Sequence, residues 1–268
     1  MIVRTGFPFL DEPRERGGVL AMAHRGGARH PELLGLENTL AAFRHAAGLG
    51  YRYLETDVHA TSDGHLLAFH DATLDRITDG RGRVRDLTLE HLGSLRIARR
   101  EGIPQLADLL EELPGCRFNI DLKSAGCVDP IVDLLDRTQA HDRVCIGSFN
   151  EPTLRRFRRR VSRPTATSAG VATVVALRFA PYPGRVSRWL RDTSGVLQVP
   201  VRNRGMTILD ERLLGLAHAS GRHVHVWTID DSAEMERLID LGVDGIITDR
   251  TDVLRDVLRA RGLWEGTQ

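Results

Sequence analysis

Sulfur is scarce in this 268-residue chain: Cys116, Cys127 and Cys145 are the only cysteines, and their spacing suits neither a metal site nor a redox pair. An odd count fits a reducing compartment better than a disulfide framework, so all three are expected to be small buried hydrophobes. Long apolar runs are missing as well, and no stretch approaches the length of a membrane span. Met1 to Arg16 mixes Phe7, Pro8 and Phe9 with Asp11, Glu12 and Arg14, a polar lead with no apolar export core or cleavage site. The expectation is a soluble cytoplasmic protein without stable membrane insertion. Charge of one sign is also lacking, because 37 Lys and Arg against 36 Asp and Glu leave a formal net charge of +1. That balance argues against a nucleic-acid surface or an acidic partner, and makes any attraction for anions local. Finally, no G-x-S-x-G nucleophile elbow occurs, which removes the commonest covalent route to ester cleavage.

What is present centres on Glu55-Thr56-Asp57-Val58-His59, which follows Tyr51-Arg52-Tyr53-Leu54 just where an apolar strand would be running out. Alternate side chains of a strand share a face, so Glu55, Asp57 and His59 point the same way, and two acids there repel unless a cation or a proton sits between them. Ser62-Asp63-Gly64 reads as a hairpin turn, and Leu66-Leu67-Ala68-Phe69 returns to end in His70-Asp71 beside the same mouth.

Taken in order, the rest of the chain alternates strands and helices. Val19 to Ala23 is a short apolar strand ending in His24-Arg25-Gly26-Gly27, and Asn38 or Thr39 can cap a helix carrying Leu40, Phe43, Ala47 and Leu49. Residues 72 to 104 have few apolar runs and read as part of an insertion, spanning roughly 60–104, above a barrel mouth. Helices are expected over 105–113, 129–138, 151–161, 171–179, 210–220, 231–241 and 251–261. With the 66–70 arm set aside, strands begin near 19, 52, 117, 144, 165, 196, 223 and 245. Eight parallel strands with helices between them close into a (β/α)₈ TIM barrel, and this length is ordinary for one such α/β domain, here 1–268 with a small insertion after the second strand. The active site of that fold lies at the C-terminal strand ends, where His24, Arg25, Glu55, Asp57, Asp121, Lys123, Trp227 and Asp249 all map.

Glu55, Asp57 and Asp121 offer hard oxygen ligands from two strands, which suits Mg²⁺ or Ca²⁺ rather than Zn²⁺. The H-x-H pair His223 and His225 resembles a zinc motif, but the oxygen site is the better metal candidate. Arg25 and Lys123 add positive charge suited to a phosphate, and His24 and His70 can move protons. Together these point to metal-assisted cleavage of a phosphodiester. The basic run Arg155-Arg156-Phe157-Arg158-Arg159-Arg160 is read as the solvated side of a helix whose inner face is Leu154, Phe157 and Val161.

In order, His24-Arg25-Gly26, Glu37-Asn38-Thr39, Glu55-Thr56-Asp57-Val58, Asp63-Gly64, His70-Asp71, Ile103-Pro104, Asn119-Ile120-Asp121-Leu122-Lys123, Trp227-Thr228 and Thr248-Asp249 resemble the signatures of the glycerophosphodiester phosphodiesterase family over roughly residues 19 to 257. The resemblance implies the same barrel, hydrolysis of glycerophosphodiesters to sn-glycerol 3-phosphate and an alcohol, and a divalent metal on Glu55, Asp57 and Asp121. It implies His24 and His70 as the acid–base pair, Arg25 and Lys123 on the phosphate, Trp227 against the glycerol moiety, and a cyclic phosphate formed by the substrate's own hydroxyl. Two departures stand out: the third ligand is usually Glu, about one methylene longer than Asp121, and the His24-to-Glu37 loop is longer than the commonest form. Alternatives are a lysophospholipase D with an enlarged pocket and a catalytically silent barrel that binds phosphorylated ligands. Residues 72–104 and the loops near 178–183 are expected to select the alcohol.

Overall fold

Strand β1, Leu20–His24, pairs in parallel with β2, Tyr53–Ala60, and β2 pairs in parallel with β4, Arg117–Leu122, so the first three barrel staves lie side by side. The computed structural model describes residues 3–14, 18–179, 194–264 and 266. Beyond β4 come β5 (Val144–Gly147) and β6 (Ala166–Thr167); on the other flank of β1 stand β11 (Gly245–Thr248), β10 (His223–Val226) and β7 (Val196–Val199). The order β6-β5-β4-β2-β1-β11-β10-β7 is closed by a parallel bridge from Ser168 to Val196, with Ala169 N donating to Val196 O at 2.7 Å. The result is an eight-stranded parallel barrel with helices on its outside, as the spacing of apolar segments predicts.

Period-two alternation sorts the side chains. Leu54, Val58, Phe118, Ile120, Ile146, Leu197, Val224 and Ile246 belong to the cluster shared with the surrounding helices, whereas Leu20, Met22, Tyr53, Cys145, Val196 and Ile247 form a second cluster. Tyr53 shares its strand face with Glu55 and Asp57, so that face changes from apolar to charged toward the C-terminal end. The N-terminal segment is more than a polar lead. Helix α1, Pro8–Arg14, inserts Phe9 and Leu10 into this second cluster, with the Phe9 and Tyr53 rings edge-to-face at 5.1 Å and Tyr53 Oη donating to Phe9 O at 2.9 Å. Fully burying each such side chain contributes about 1.5–3 kcal/mol.

Helix caps follow the sequence signals. Thr39, not Asn38, caps α2, Leu40–Gly48, accepting from Ala42 N, while Asn150 caps α6, Glu151–Arg160. On α6, Leu154 and Phe157 are buried and Arg155, Arg156, Arg159 and Arg160 are not fully buried, so its basic side is the solvated one. All three cysteines are buried free thiols. Strand β3, Leu66–Ala68, runs antiparallel to β2, and Leu67, Phe69, Leu74, Val84, Leu92 and Ile97 build a small separate core in the segment that follows. Of the stretch 178–183, residues 180–183 lie outside the described residues.

Candidate active site

The His24-Arg25-Gly26-Gly27 corner is forced by contact. Gly26 has φ +84°, and a Cβ there would stand 2.7 Å from Ala42 Cβ; Gly27 has φ +99° and lies as tightly against Thr251. Only glycine allows the turn to run this close to α2. The turn delivers His24 and Arg25 to the mouth. His24 Nδ1 donates to Asp249 Oδ1 at 2.6 Å, and His24 Nε2 lies 3.7 Å from Glu55 Oε2. Burial pulls the imidazole pKa down, but the Glu55 and Asp249 carboxylates outweigh it and hold it above its ordinary value.

Arg25 has φ +52°, with its backbone N–H on Glu55 O at 3.0 Å. Its Nε stands 3.1 Å from Asp57 Oδ2 and its Nη1 donates to Glu37 Oε1 at 3.2 Å. Asp57 and Asp121 are register partners across β2 and β4, and the Lys123 ammonium bridges them at 2.6 and 2.7 Å. Asn38 Nδ2 also donates to Asp57 Oδ2 at 3.2 Å, so Asp57 meets two cations and an amide. Burial alone would raise its carboxyl; Lys123 and Arg25 hold it below the usual range. Glu55, 6% exposed, is pushed up to about 7, first by burial and then by the Asp57 charge.

His70 follows β3, where Phe69 N donates to Asp57 O at 2.9 Å and His59 Nε2 donates to His70 O at 3.1 Å. His70 Nδ1 donates to Asp71 Oδ1 at 2.7 Å. Trp227, at the end of β10, is half-buried and makes its ring contact edge-to-face with Phe149 at 5.8 Å. His223 and His225 belong to β10, both fully buried, and His223 Nε2 donates to Val3 O at 3.0 Å.

His24 and Asp121 stand at or next to the last residue of their strands, Arg25, Lys123, Trp227 and Asp249 lie just beyond theirs, and Glu55 and Asp57, inside β2, are in register with His24 and Asp121; Arg25, Asp57, Lys123 and Asp121 form one continuous ionic chain. Among the described residues no group of three His, Cys, Asp or Glu side chains stands together as metal ligands. The reason is local: the Lys123 ammonium occupies the space between Asp57 and Asp121, and Glu55 Oε2 takes the Arg25 backbone N–H at 3.2 Å. Sequence reasoning named Asp249, Asp71 and Glu37 without giving them a role, and it passed over Arg76. Asp249 and Asp71 orient His24 and His70, Glu37 holds Arg25, and Arg76 joins Glu37 to Asp71. The adjacent His-Asp pair at 70 and 71 is a local signal for one of these contacts; no local pattern pairs Asp249 with His24 or Arg76 with Glu37.

Comparison with known proteins places the chain in a family. The model of the Glycerophosphoryl diester phosphodiesterase family matches residues 24–253. The Probable glycerophosphodiester phosphodiesterase 2 of Mycobacterium tuberculosis is 43% identical over 255 residues, spanning 93% of this chain and 94% of that protein. The glycerophosphodiester phosphodiesterase of Caldanaerobacter subterraneus subsp. tengcongensis is 33% identical over 91% of this chain and 99% of its own length. Among solved structures, a phosphodiesterase of Oleispira antarctica in complex with the product sn-glycerol-3-phosphate shares the fold, with a TM-score of 0.76, 23% identity, and coverage of 91% of this chain and 98% of that one. With an ordered set of motifs along the chain, a family match over most of its length and a relative of such identity, the protein belongs to the glycerophosphoryl diester phosphodiesterase family.

Proposed function

We propose that this protein hydrolyses glycerophosphodiesters to sn-glycerol 3-phosphate and an alcohol. The observation that carries the reading is a pair of imidazoles at one barrel mouth, each with Nδ1 on a carboxylate, beside the fixed cations Arg25 and Lys123. A carboxylate on Nδ1 settles the tautomer and leaves Nε2 to exchange a proton with substrate. One imidazole takes the proton of the attacking glycerol hydroxyl as the new P–O bond forms; the other gives a proton to the departing alkoxide as the old P–O bond breaks. Water then opens the resulting cyclic phosphate by the reverse exchange. Arg25 and Lys123 hold the phosphate oxygens, and Trp227 lies against the glycerol carbons.

Glu55, Asp57 and Asp121 are the residues that would hold a divalent cation, Mg²⁺ or Ca²⁺. The donor chemistry fits: a side-chain cation already sits between Asp57 and Asp121, and Glu55, pushed up to about 7 by burial and by the Asp57 charge, is a carboxyl whose ionised form an added cation would favour. When bound, such an ion would polarise a phosphoryl oxygen. We read residues 1–268 as one barrel domain, with the insertion over roughly 60–104 shaping the alcohol side. A cytoplasmic location belongs to the same reading; among the described residues no helix is long and apolar enough to cross a membrane.

The test is turnover of glycerophosphocholine by purified protein with Mg²⁺, Ca²⁺ or Mn²⁺, sn-glycerol 3-phosphate being measured, alongside lysophosphatidylcholine and EDTA controls. Release of sn-glycerol 3-phosphate, abolished by EDTA, is the expected result. Activity on the lysolipid alone would make the protein a lysophospholipase D. Glycerol phosphate binding without turnover of either would make it a silent barrel.

A further inference from the structure

Arg76, in the segment between β3 and α3 (Leu89–Gly93), has a side chain 47% exposed and holds two carboxylates at once. Its Nε and Nη2 donate to Asp71 Oδ2 and Oδ1 at 2.6 and 3.1 Å, while Nη1 and Nη2 donate to Glu37 Oε2 and Oε1 at 2.9 and 2.7 Å. Both contacts are two-pronged, which a planar guanidinium can make and an ammonium cannot. Neither carboxylate is a bystander. Asp71 Oδ1 accepts from His70 Nδ1 at 2.7 Å, and Glu37 Oε1 accepts from Arg25 Nη1 at 3.2 Å. An exposed ion pair between two loops contributes little to stability, so holding the loops together is a weak reason for four such bonds.

We propose that Arg76 is a positioning residue that sets His70 through Asp71 and Arg25 through Glu37. This rests on the reading of His70 as an acid–base group. With Asp71 pinned from behind, its Oδ1 stays on His70 Nδ1, and Nε2 remains the atom that faces the mouth. The same guanidinium, first by its hydrogen bond, helps keep the Asp71 carboxyl at about 2. On the other side, Glu37 shared between two guanidiniums cannot chelate Arg25 fully, and Arg25 Nε is left to face Asp57 Oδ2 at 3.1 Å. Without Arg76, Asp71 can turn away from His70, and Glu37 can draw Arg25 off the phosphate position.

The test compares Arg76→Met, Arg76→Lys, Asp71→Asn and the double variant Arg76→Met/Asp71→Asn with wild type and with His70→Ala. Arg76→Met should lower kcat about ten- to fiftyfold while its melting temperature stays within about 3 °C of wild type, and Arg76→Lys should recover little, because a point charge cannot fork two carboxylates. Added to Asp71→Asn, Arg76→Met should cost less than about threefold more, since both act along one path. ¹⁵N spectra should show a single Nδ1–H tautomer for His70 in wild type and a mixture in Arg76→Met. A kcat for Arg76→Met within about twofold of wild type while His70→Ala is inactive would overturn the inference, as would full independence of the two substitutions. Wild-type turnover in His70→Ala would instead overturn the acid–base reading; the ¹⁵N spectra, which need no substrate, would still decide for or against Arg76.

Discussion

His24 and His70 differ in the carboxylates around them, and that difference sets what each can do. His24 Nε2 faces Glu55 at 3.7 Å while Nδ1 is held by Asp249, so its proton is retained by two acids; His70 has Asp71 at 2.7 Å and a side chain 34% exposed. Replacing either histidine by alanine should lower kcat about a hundredfold or more, measured as sn-glycerol 3-phosphate release, with the fold retained by circular dichroism. Asp249→Ala is expected to lower kcat about ten- to a hundredfold with KM changed far less, because it frees the His24 ring without touching the phosphate cations. At this scale the sequence was legible for the charged groups gathered at the barrel mouth. His24, Arg25, Glu55, Asp57, Asp121 and Lys123 announce themselves as charged residues where strands end. Asp249 is 225 positions from His24, and Arg76 is 39 from Glu37, so no local pattern could pair them.

Elements carry these residues to their places through a few close contacts. Gly26 at φ +84° touches Ala42 of α2, and Gly26→Ala should cost about 1–3 kcal/mol and lower kcat/KM about tenfold as Arg25 is displaced, read from a urea melt and from initial rates. At the opposite end of the strands, Asp244 is fully buried just before β11, accepts from Val224 N at 2.8 Å, and is hydrogen-bonded to His218 Nε2 at 2.8 Å, on the helix Glu211–Ala219. Burial would raise the Asp244 carboxyl, but the His218 hydrogen bond and the nearby His223 bring it below its ordinary value. A carboxyl lower in the folded than in the unfolded chain stabilises fully above the unfolded value, near 4, and that contribution is lost as pH falls through the lower folded value. His218→Ala should therefore destabilise by about 1–3 kcal/mol at pH 7 and move the onset of acid unfolding to higher pH, measured by urea melts between pH 3 and 7. The alternating pattern of helices and strands foretold these elements well. It missed α1, whose seven residues are too few to show a helical period, and it could not choose between Asn38 and Thr39 as a cap because both side chains suit that position.

For the molecule as a whole, the barrel closes through the Ser168–Val196 bridge and is filled near the strand starts by Phe9 and Leu10 from α1. Phe9→Ala should cost about 3–5 kcal/mol in a chemical melt while leaving KM for glycerophosphocholine nearly unchanged, since the cavity opens away from the charged mouth. The sequence by itself determined the eight staves, the alternation that turns Glu55 and Asp57 inward, and the residue types gathered at the strand ends. These follow from period and polarity, which neighbouring residues write directly into the chain. Only the tertiary structure decided that Lys123 stands between Asp57 and Asp121, that Asp249 and Asp71 back the two histidines, and that Arg76 ties Asp71 to Glu37. Such pairings depend on distances between chain segments far apart in order, and rotamers meeting across a barrel mouth leave no periodic trace.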